Sequence, residues 1–211
     1  MMNILSPHFT DAKFREYVKW MSSRGCNTAH LLYANQGDGE GAGYFATDNA
    51  GLSRRRIKYL RLHGFAIVPW LVADDSAAYA RRIFADPDAY VKGLKDAGLL
   101  DHASFICLGL EMDEYGKMDD WIKVRNAVAK HCPKMKVATH HTSGHLTFAG
   151  LGQIVCDQLE PRTATAGAIA ASIGRILAMG KGAIGFEYSR QADRDKAQAA
   201  FSAGAFSVGN W

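Results

Sequence analysis

The sequence predicts an α/β fold, because short apolar runs alternate with amphipathic stretches from one end of the chain to the other. Alternating strands and helices imply right-handed crossovers and a parallel sheet. Eight such units favour a closed barrel, and neither nucleotide-binding fingerprint, GxGxxG after a strand or GxxxxGKS/T, occurs. We therefore predict a compact (β/α)8 TIM barrel, a single domain over residues 1–211, with no residues left for the last helix.

Composition narrows the functional classes. The chain has 211 residues, 48% of them hydrophobic and 22% charged, with a net charge of +4 spread along the sequence, so we expect no nucleic-acid partner. No apolar run approaches the roughly 20 residues of a membrane span, and the start shows no signal-peptide pattern. We expect a soluble cytoplasmic protein, with release by a non-classical route such as lysis left open. The four cysteines lack CxxC spacing and indicate free thiols.

Local signals place the elements of the first half of the chain. Thr10 is suited to cap the first helix, and Pro87 divides the third helical region. Pro69 is unusual inside a central strand. In chain order we predict a strand at 3–6, a helix at 11–24, a strand at 27–34, a glycine-rich segment at 36–45, a helix at 53–63, a strand at 65–73, a helical region at 76–98, a strand at 104–110 and a helix at 119–131.

The second half continues the alternation. A strand at 136–140 precedes the irregular stretch THHTSGH and one short helical turn. The remaining predicted elements are a strand at 154–158, an alanine-rich helix at 165–179, a strand at 183–186, a helix at 193–203 and an eighth strand at 206–211.

Two glutamates follow predicted strands at the end where a (β/α)8 barrel carries its active site. Glu111 ends FICLGLE after the fourth strand, and Glu187 ends GAIGFE after the seventh. Side chains alternate along a strand, so Glu111 is expected to share a face with Gly109 and Cys107, and Glu187 with Gly185 and Ala183. We expect these smaller residues to line the barrel interior and the larger aliphatic ones to face the helices. Both glutamates are then predicted at the top of the lumen, where strands four and seven face each other.

Paired carboxylates at that place suit the cleavage of a glycosidic bond. The layout, with GLE at 109–111 and GFEY at 185–188, resembles the retaining clan of TIM-barrel glycoside hydrolases, which carry the acid/base after strand four and the nucleophile after strand seven. The resemblance implies Glu111 as acid/base, Glu187 as nucleophile, a carbohydrate substrate, and neither a metal nor another cofactor. Leu110 departs from the clan, which usually has Asn before the acid/base, and GLEMDE at 109–114 only partly resembles the chitinase-like motif.

Other polar and aromatic residues at strand ends supply the predicted substrate contacts. No lysine is well placed at the active mouth, so the sequence gives no support for Schiff-base chemistry. Three histidines, His140, His141 and His145, together with Asp157 and the two glutamates, keep open a metal-dependent hydrolase or lyase, and a non-catalytic carbohydrate-binding barrel is the third alternative. The predicted substrate-binding residues are Asn35, Trp70, Asp74, His140, Gln158 and Tyr188.

Overall fold

A computed structural model describes residues 4–35, 43–72, 78–114, 116–142, 144–158, 164–185 and 194–208. None of the helices in these ranges is both long and apolar enough to cross a membrane. The helices of this part are α1 (Asp11–Ser23), α2 (Ala50–Leu62), α3 (Ala78–Ala85), α4 (Pro87–Asp96), α5 (Met118–His131), α6 (Ala166–Ala178) and α7 (Arg194–Ser202), with a short 3-10 helix at Ala149–Leu151.

The strands form one large parallel sheet and one small hairpin. The strands are β1 (Thr28–Leu32), β2 (Ala34–Asn35), β3 (Tyr44–Phe45), β4 (Ala66–Val72), β5 (Ile106–Gly109), β6 (Val137–His141), β7 (Ile154–Asp157), β8 (Gly182–Gly185) and β9 (Ser207–Val208). The large sheet has the order β1-β4-β5-β6-β7-β8-β9, and each neighbouring pair is parallel. This alternation confirms the predicted (β/α) barrel architecture, as an arc of seven strands in the described residues.

The predicted cap of the first helix and the predicted break in the third helical region are both confirmed. Thr10 accepts a hydrogen bond from the Lys13 N–H at 3.3 Å through its hydroxyl, and α1 begins at the next residue. The region at 76–98 is divided as predicted, because Asp86 caps α4 and Pro87 occupies its first position. A proline at that position loses no helical hydrogen bond, since the first N–H groups of a helix have no partner inside it.

Two predictions for the first part of the chain need correction. Residues 4–6 of the predicted first strand form turns, because their carbonyls bind a side chain: Arg56 Nη1 donates to Ile4 O at 2.6 Å and to Ser6 O at 2.8 Å. The 36–45 segment ends in a strand, since β3 pairs antiparallel with β2 through Asn35 and Tyr44. Residues 36–42 lie outside the described part of the chain.

The sheet separates two apolar layers. Its outer face packs against the helices, as Ala183 of β8 does against Ile169 and Ile173 of α6. Its inner face carries a separate buried cluster that includes no helical residue. This inner cluster consists of Leu32, Val68, Trp70, Phe105, Cys107, Ala138, Ile154, Cys156 and Ile184.

The predicted faces are right for most of β5 and wrong for β8. Cys107 belongs to the inner cluster, and Ile106 and Leu108 belong to the outer one. In β8 the larger residue, Ile184, is inside, and Ala183 is outside. Size does not distinguish the two faces, because both are apolar layers in a parallel sheet covered by helices. The alternation in β8 therefore does not direct position 187 into the lumen.

Candidate active site at the carboxyl end of the sheet

The end of β5 breaks the alternation of its side chains. A Cβ on Gly109 would lie 2.4 Å from Cη2 of Trp121, a fully buried residue of the outer layer. Leu110 packs against the inner cluster instead, and its N–H donates to Val72 O at 2.8 Å. The expectation that Gly109 shares the inner face with Cys107 is therefore wrong. The chain switches faces here because only glycine permits Trp121 to close over it.

Glu111 follows this switch in an unusual backbone conformation. Its φ of 46° lies in the left-handed region, which costs a residue with a Cβ about 1–2 kcal/mol. Its N–H donates to His140 Nδ1 at 2.7 Å, and the next N–H, of Met112, donates to His140 O at 3.1 Å. Each such bond contributes about 0.5–1.5 kcal/mol, so the pair offsets the backbone cost. The Glu111 side chain is half-buried.

Two side chains inside the barrel, Trp70 and His30, hold the His140 ring in place. Its ring lies edge-on to Trp70, with centroids 4.9 Å apart. The Trp70 indole N–H donates to His30 Nδ1 at 2.9 Å. Both Trp70 and His140 are completely buried. A continuous series of contacts thus runs from β1 through β4 and β6 to the backbone of Glu111.

Burial keeps the inner histidines neutral. It lowers the pKa of His140 to about 3, with a further contribution from His141, while Asp113 and the Gln158 side chain act in the opposite direction. Burial likewise lowers the pKa of His30 to about 3. Neutral imidazoles accept hydrogen bonds at one nitrogen, which fits the acceptor role of Nδ1 in both residues.

A second polar group lies on the outer face of the same strand ends. His141 and Asp157 are cross-strand neighbours, both completely buried. Burial raises the pKa of Asp157 to about 6, and Ser172 and Arg175 act against this shift. The Ser172 hydroxyl is near enough to lower the pKa of Asp157. Neither carboxyl oxygen of Asp157, however, has a hydrogen-bond partner of good geometry among the described residues. Burial also lowers the pKa of His141 to about 4.

The loop after β6 is fastened to the loop after β5. The Thr142 N–H donates to Asp113 at 3.0 Å, and the Thr142 hydroxyl donates to Glu114 at 2.8 Å. On the other side of the loop, the Phe148 N–H donates to His141 Nε2 at 3.0 Å. The Thr142 bonds join the two loops and the Phe148 bond holds the second loop to β6; none of them involves Glu111.

The structure brings together four of the predicted site residues. Glu111, His140, Trp70 and Gln158 are linked by the contacts given above, whereas Asn35 is buried in the hairpin strand β2. His30, which positions Trp70, was not predicted; its place in the apolar run AHLLYA gave no sign of a polar role. Glu187, Asp74 and Tyr188 lie outside the described residues, so their roles stay predictions.

The described part of the chain contains no cluster of three or more His, Cys, Asp or Glu side chains in a metal-binding arrangement. His140 and His141 point to opposite faces of β6: His140 contacts inner Trp70, and His141 contacts Phe148 on the outer side. The predicted alternative that combined these two histidines in one metal site is therefore not supported by their geometry.

The sequence matches no family model and no curated protein. The fold, however, is similar to several solved structures. The GH53 catalytic domain of Ignisphaera aggregans has 13% identity and a TM-score of 0.64, over 92% of this chain and 76% of that chain. An exo-β-1,4-mannosidase from Opitutaceae bacterium strain TAV5 has 14% identity and a TM-score of 0.70, over 96% of this chain and 48% of that chain.

A GH113 β-mannanase from Alicyclobacillus acidocaldarius, in complex with ManMIm, has 13% identity and a TM-score of 0.62, over 97% of this chain and 82% of that chain. These neighbours are glycoside hydrolases with the (β/α)8 TIM-barrel fold, so the predicted resemblance is confirmed for the fold. The carboxyl transferase domain of Rhizobium etli pyruvate carboxylase also matches, with 10% identity and a TM-score of 0.51, over 74% of this chain and 29% of that chain. Fold alone therefore does not fix the chemistry.

Proposed function

We propose that this chain is a glycoside hydrolase that cleaves its substrate with retention, using Glu111 as acid/base and Glu187 as nucleophile. The observation that carries the proposal is the backbone of Glu111, held in a left-handed conformation by a buried imidazole at the carboxyl end of β5. Non-glycine residues held in strained backbone conformations cluster at active sites. The likeness of the fold to glycoside hydrolases supports the same conclusion.

In this mechanism, Glu111 protonates the leaving oxygen while Glu187 attacks the anomeric carbon. Glu111, as carboxylate, then activates the water that hydrolyses the glycosyl-enzyme. Retention requires the two carboxyl groups to lie about 5–5.5 Å apart. Like charges so close keep one carboxyl protonated at neutral pH, which an acid catalyst needs.

The case for Glu187 rests on its place in the sequence. It follows Gly185, the last residue of β8, by two positions, and β8 runs parallel to β5 in the same sheet. Parallel strands present their carboxyl ends at one edge, where barrel active sites lie. The proposed role therefore requires a break in alternation after β8, as occurs at Gly109 in β5.

We propose a carbohydrate with β-1,4-linked sugars as substrate, because the similar structures include a β-1,4-mannosidase and a β-mannanase. Sugar rings bind to aromatic faces and to hydrogen-bonding side chains around the cleft. Trp70 and His140 are completely buried and would support such a cleft from beneath, whereas Gln158, Asn35, Asp74 and Tyr188 are the proposed substrate contacts.

The experiment is hydrolysis of mannan, xylan and aryl β-glycosides by the purified chain and by two alanine variants. Glu187→Ala should abolish turnover of every substrate, and azide should restore it with inverted product. Glu111→Ala should slow substrates with poor leaving groups by about 10²–10⁴-fold and spare activated aryl glycosides, since these need little protonation.

Glu114→Ala is the matched control, because Glu114 is a carboxylate at the same strand end and binds Thr142 instead of the lumen residues. It should hydrolyse all substrates at the parent rate. Equal rates for the parent, Glu111→Ala and Glu187→Ala on an accepted substrate would show that both glutamates are structural.

A non-catalytic carbohydrate-binding barrel is the second candidate. The direction of the side chains in β8 favours this candidate, since Ala183 faces outward and regular alternation would turn Glu187 outward too. Calorimetric binding of mannan oligosaccharides without any hydrolysis would support this candidate over the hydrolase.

A further inference from the structure

We infer that His140 is a positioning residue for Glu111, acting on its main chain instead of on the substrate. This inference rests on the glycoside hydrolase function proposed above. Its basis is that one residue of β6 accepts two successive N–H groups after β5, one with its imidazole and one with its carbonyl. We call this pair of bonds the His140 clamp.

The clamp defines the direction in which the Glu111 side chain leaves the backbone. The left-handed φ of 46° rotates Cβ away from the position that a regular strand would give. The Glu111 N–H is bound at 2.7 Å and the Met112 N–H at 3.1 Å, so both ends of the Glu111 residue are held. A catalytic acid must sit within hydrogen-bond reach of the leaving oxygen, so this direction matters for proton transfer.

The imidazole itself has little freedom. Its ring is completely buried, and Trp70 packs edge-on against it. Trp70 is in turn fixed by the hydrogen bond from its indole to His30. Because Nδ1 accepts the Glu111 N–H, the ring proton of neutral His140 is assigned to Nε2. A solvent-facing histidine would have neither the fixed tautomer nor the fixed ring plane.

The next residue offers a matched control. His141 is also completely buried, also lies on β6, and also accepts a main-chain N–H, from Phe148 at 3.0 Å. It differs in the face it occupies and in having no bond to Glu111. Loss of His141 therefore reports the general cost of removing a buried imidazole from this strand.

The kinetic test compares His140→Phe, His140→Asn and His141→Phe. His140→Phe should lower kcat by about 10²-fold for poor leaving groups with KM unchanged, because a small misplacement of a catalytic group costs about that much. His140→Asn should recover most of the rate, since Asn Oδ1 can take the place of Nδ1 as acceptor. His141→Phe should lower the unfolding temperature and leave the kcat of the folded fraction at the parent value.

Two measurements on the unaltered chain keep the inference independent of variant folding and of activity. Nitrogen-15 NMR should show His140 with bare Nδ1 and protonated Nε2, and the Glu111 amide should exchange slowly with solvent. A proton on Nδ1, or fast exchange at Glu111, would overturn the inference.

The outcomes separate the two proposals. A parent chain that hydrolyses no glycoside removes the proposed function, and the NMR result still decides whether the clamp exists. An active parent whose His140→Phe variant keeps the parent kcat on poor leaving groups removes the inference and leaves the hydrolase intact.

Discussion

The inner and outer faces of β6 carry adjacent histidines in different surroundings. On the inner face, His140 accepts the Glu111 N–H, and the neighbouring Trp70 donates to His30. On the outer face, His141 Nδ1 and both oxygens of Asp157 have no hydrogen-bond partner within the described ranges. The inner imidazole of His140 therefore fixes the backbone of Glu111, whereas burial of the Asp157 carboxyl on the outer face carries a desolvation cost. This difference teaches that burial alone does not identify a functional histidine; its bonding partner does.

The largest expected effect is at Gly109, where the chain passes from one face to the other. Gly109→Ala should destabilise the protein by about 3 kcal/mol, because the new Cβ would meet the Trp121 ring at 2.4 Å and Val72 O at 3.1 Å. Urea unfolding at pH 7 measures the loss.

Gly174→Ala, in the open interior of α6, is the control for this substitution. It should stabilise the protein by about 0.5–1 kcal/mol, as alanine does in a helix. An equal, small effect at both positions would show that β5 keeps its regular alternation and that the two faces do not exchange at Gly109.

The sequence contained enough local information for most helices and for the order of the strands. Thr10, Thr165 and Asp86 are capping residues whose side chains accept the expected N–H groups, so the starts of α1, α6 and α4 were predictable. Capping depends on three or four consecutive residues, which is why a single sequence reveals it.

The faces of the strands were harder to predict. Ile184 and Ala183 are both apolar, and only the register of β8 with β7, which pairs Ile184 with Cys156, shows which one is inside. The site was predictable as a set of strand-end residues, including Glu111 and His140. The bond between these two was not, because it depends on a contact 29 residues apart in the chain.

The next expected effect is the pH dependence of stability that Asp157 causes on the outer face. Asp157 has a pKa raised from 3.8 to about 6 by burial, so the folded state favours the protonated carboxyl. Its contribution to stability is complete below pH 4 and is lost as the pH rises through 6. Asp157→Asn, which stays neutral, should become more stable than the parent over this range, by up to about 3 kcal/mol. Unfolding free energies at pH 4, 5, 6 and 7, taken from urea titrations, measure the gain.

Asp88→Asn should show the opposite trend. The hydrogen bonds from Lys130 and His131 lower the pKa of this exposed carboxyl, so it stabilises the folded state above its ordinary pKa and loses that contribution as the pH falls. If Asp157→Asn is instead less stable than the parent at pH 7, then Asp157 is paired with a charged His141, and the contrast between the two faces of β6 is wrong.

The smallest expected effect tests whether Trp70 and His30 on the inner face are coupled through a hydrogen bond, and not only through the packing of their rings. A double-mutant cycle with Trp70→Phe and His30→Phe should give a coupling energy of about 1 kcal/mol, the usual net worth of one hydrogen bond. The same cycle with His141→Phe and Asp157→Asn should give a coupling energy near zero, because these cross-strand neighbours share no hydrogen bond. Urea unfolding of all the variants at pH 7 supplies both values. A coupling on the outer face that equals or exceeds the inner one would reverse the comparison, since it would make His141 and Asp157 the organised pair.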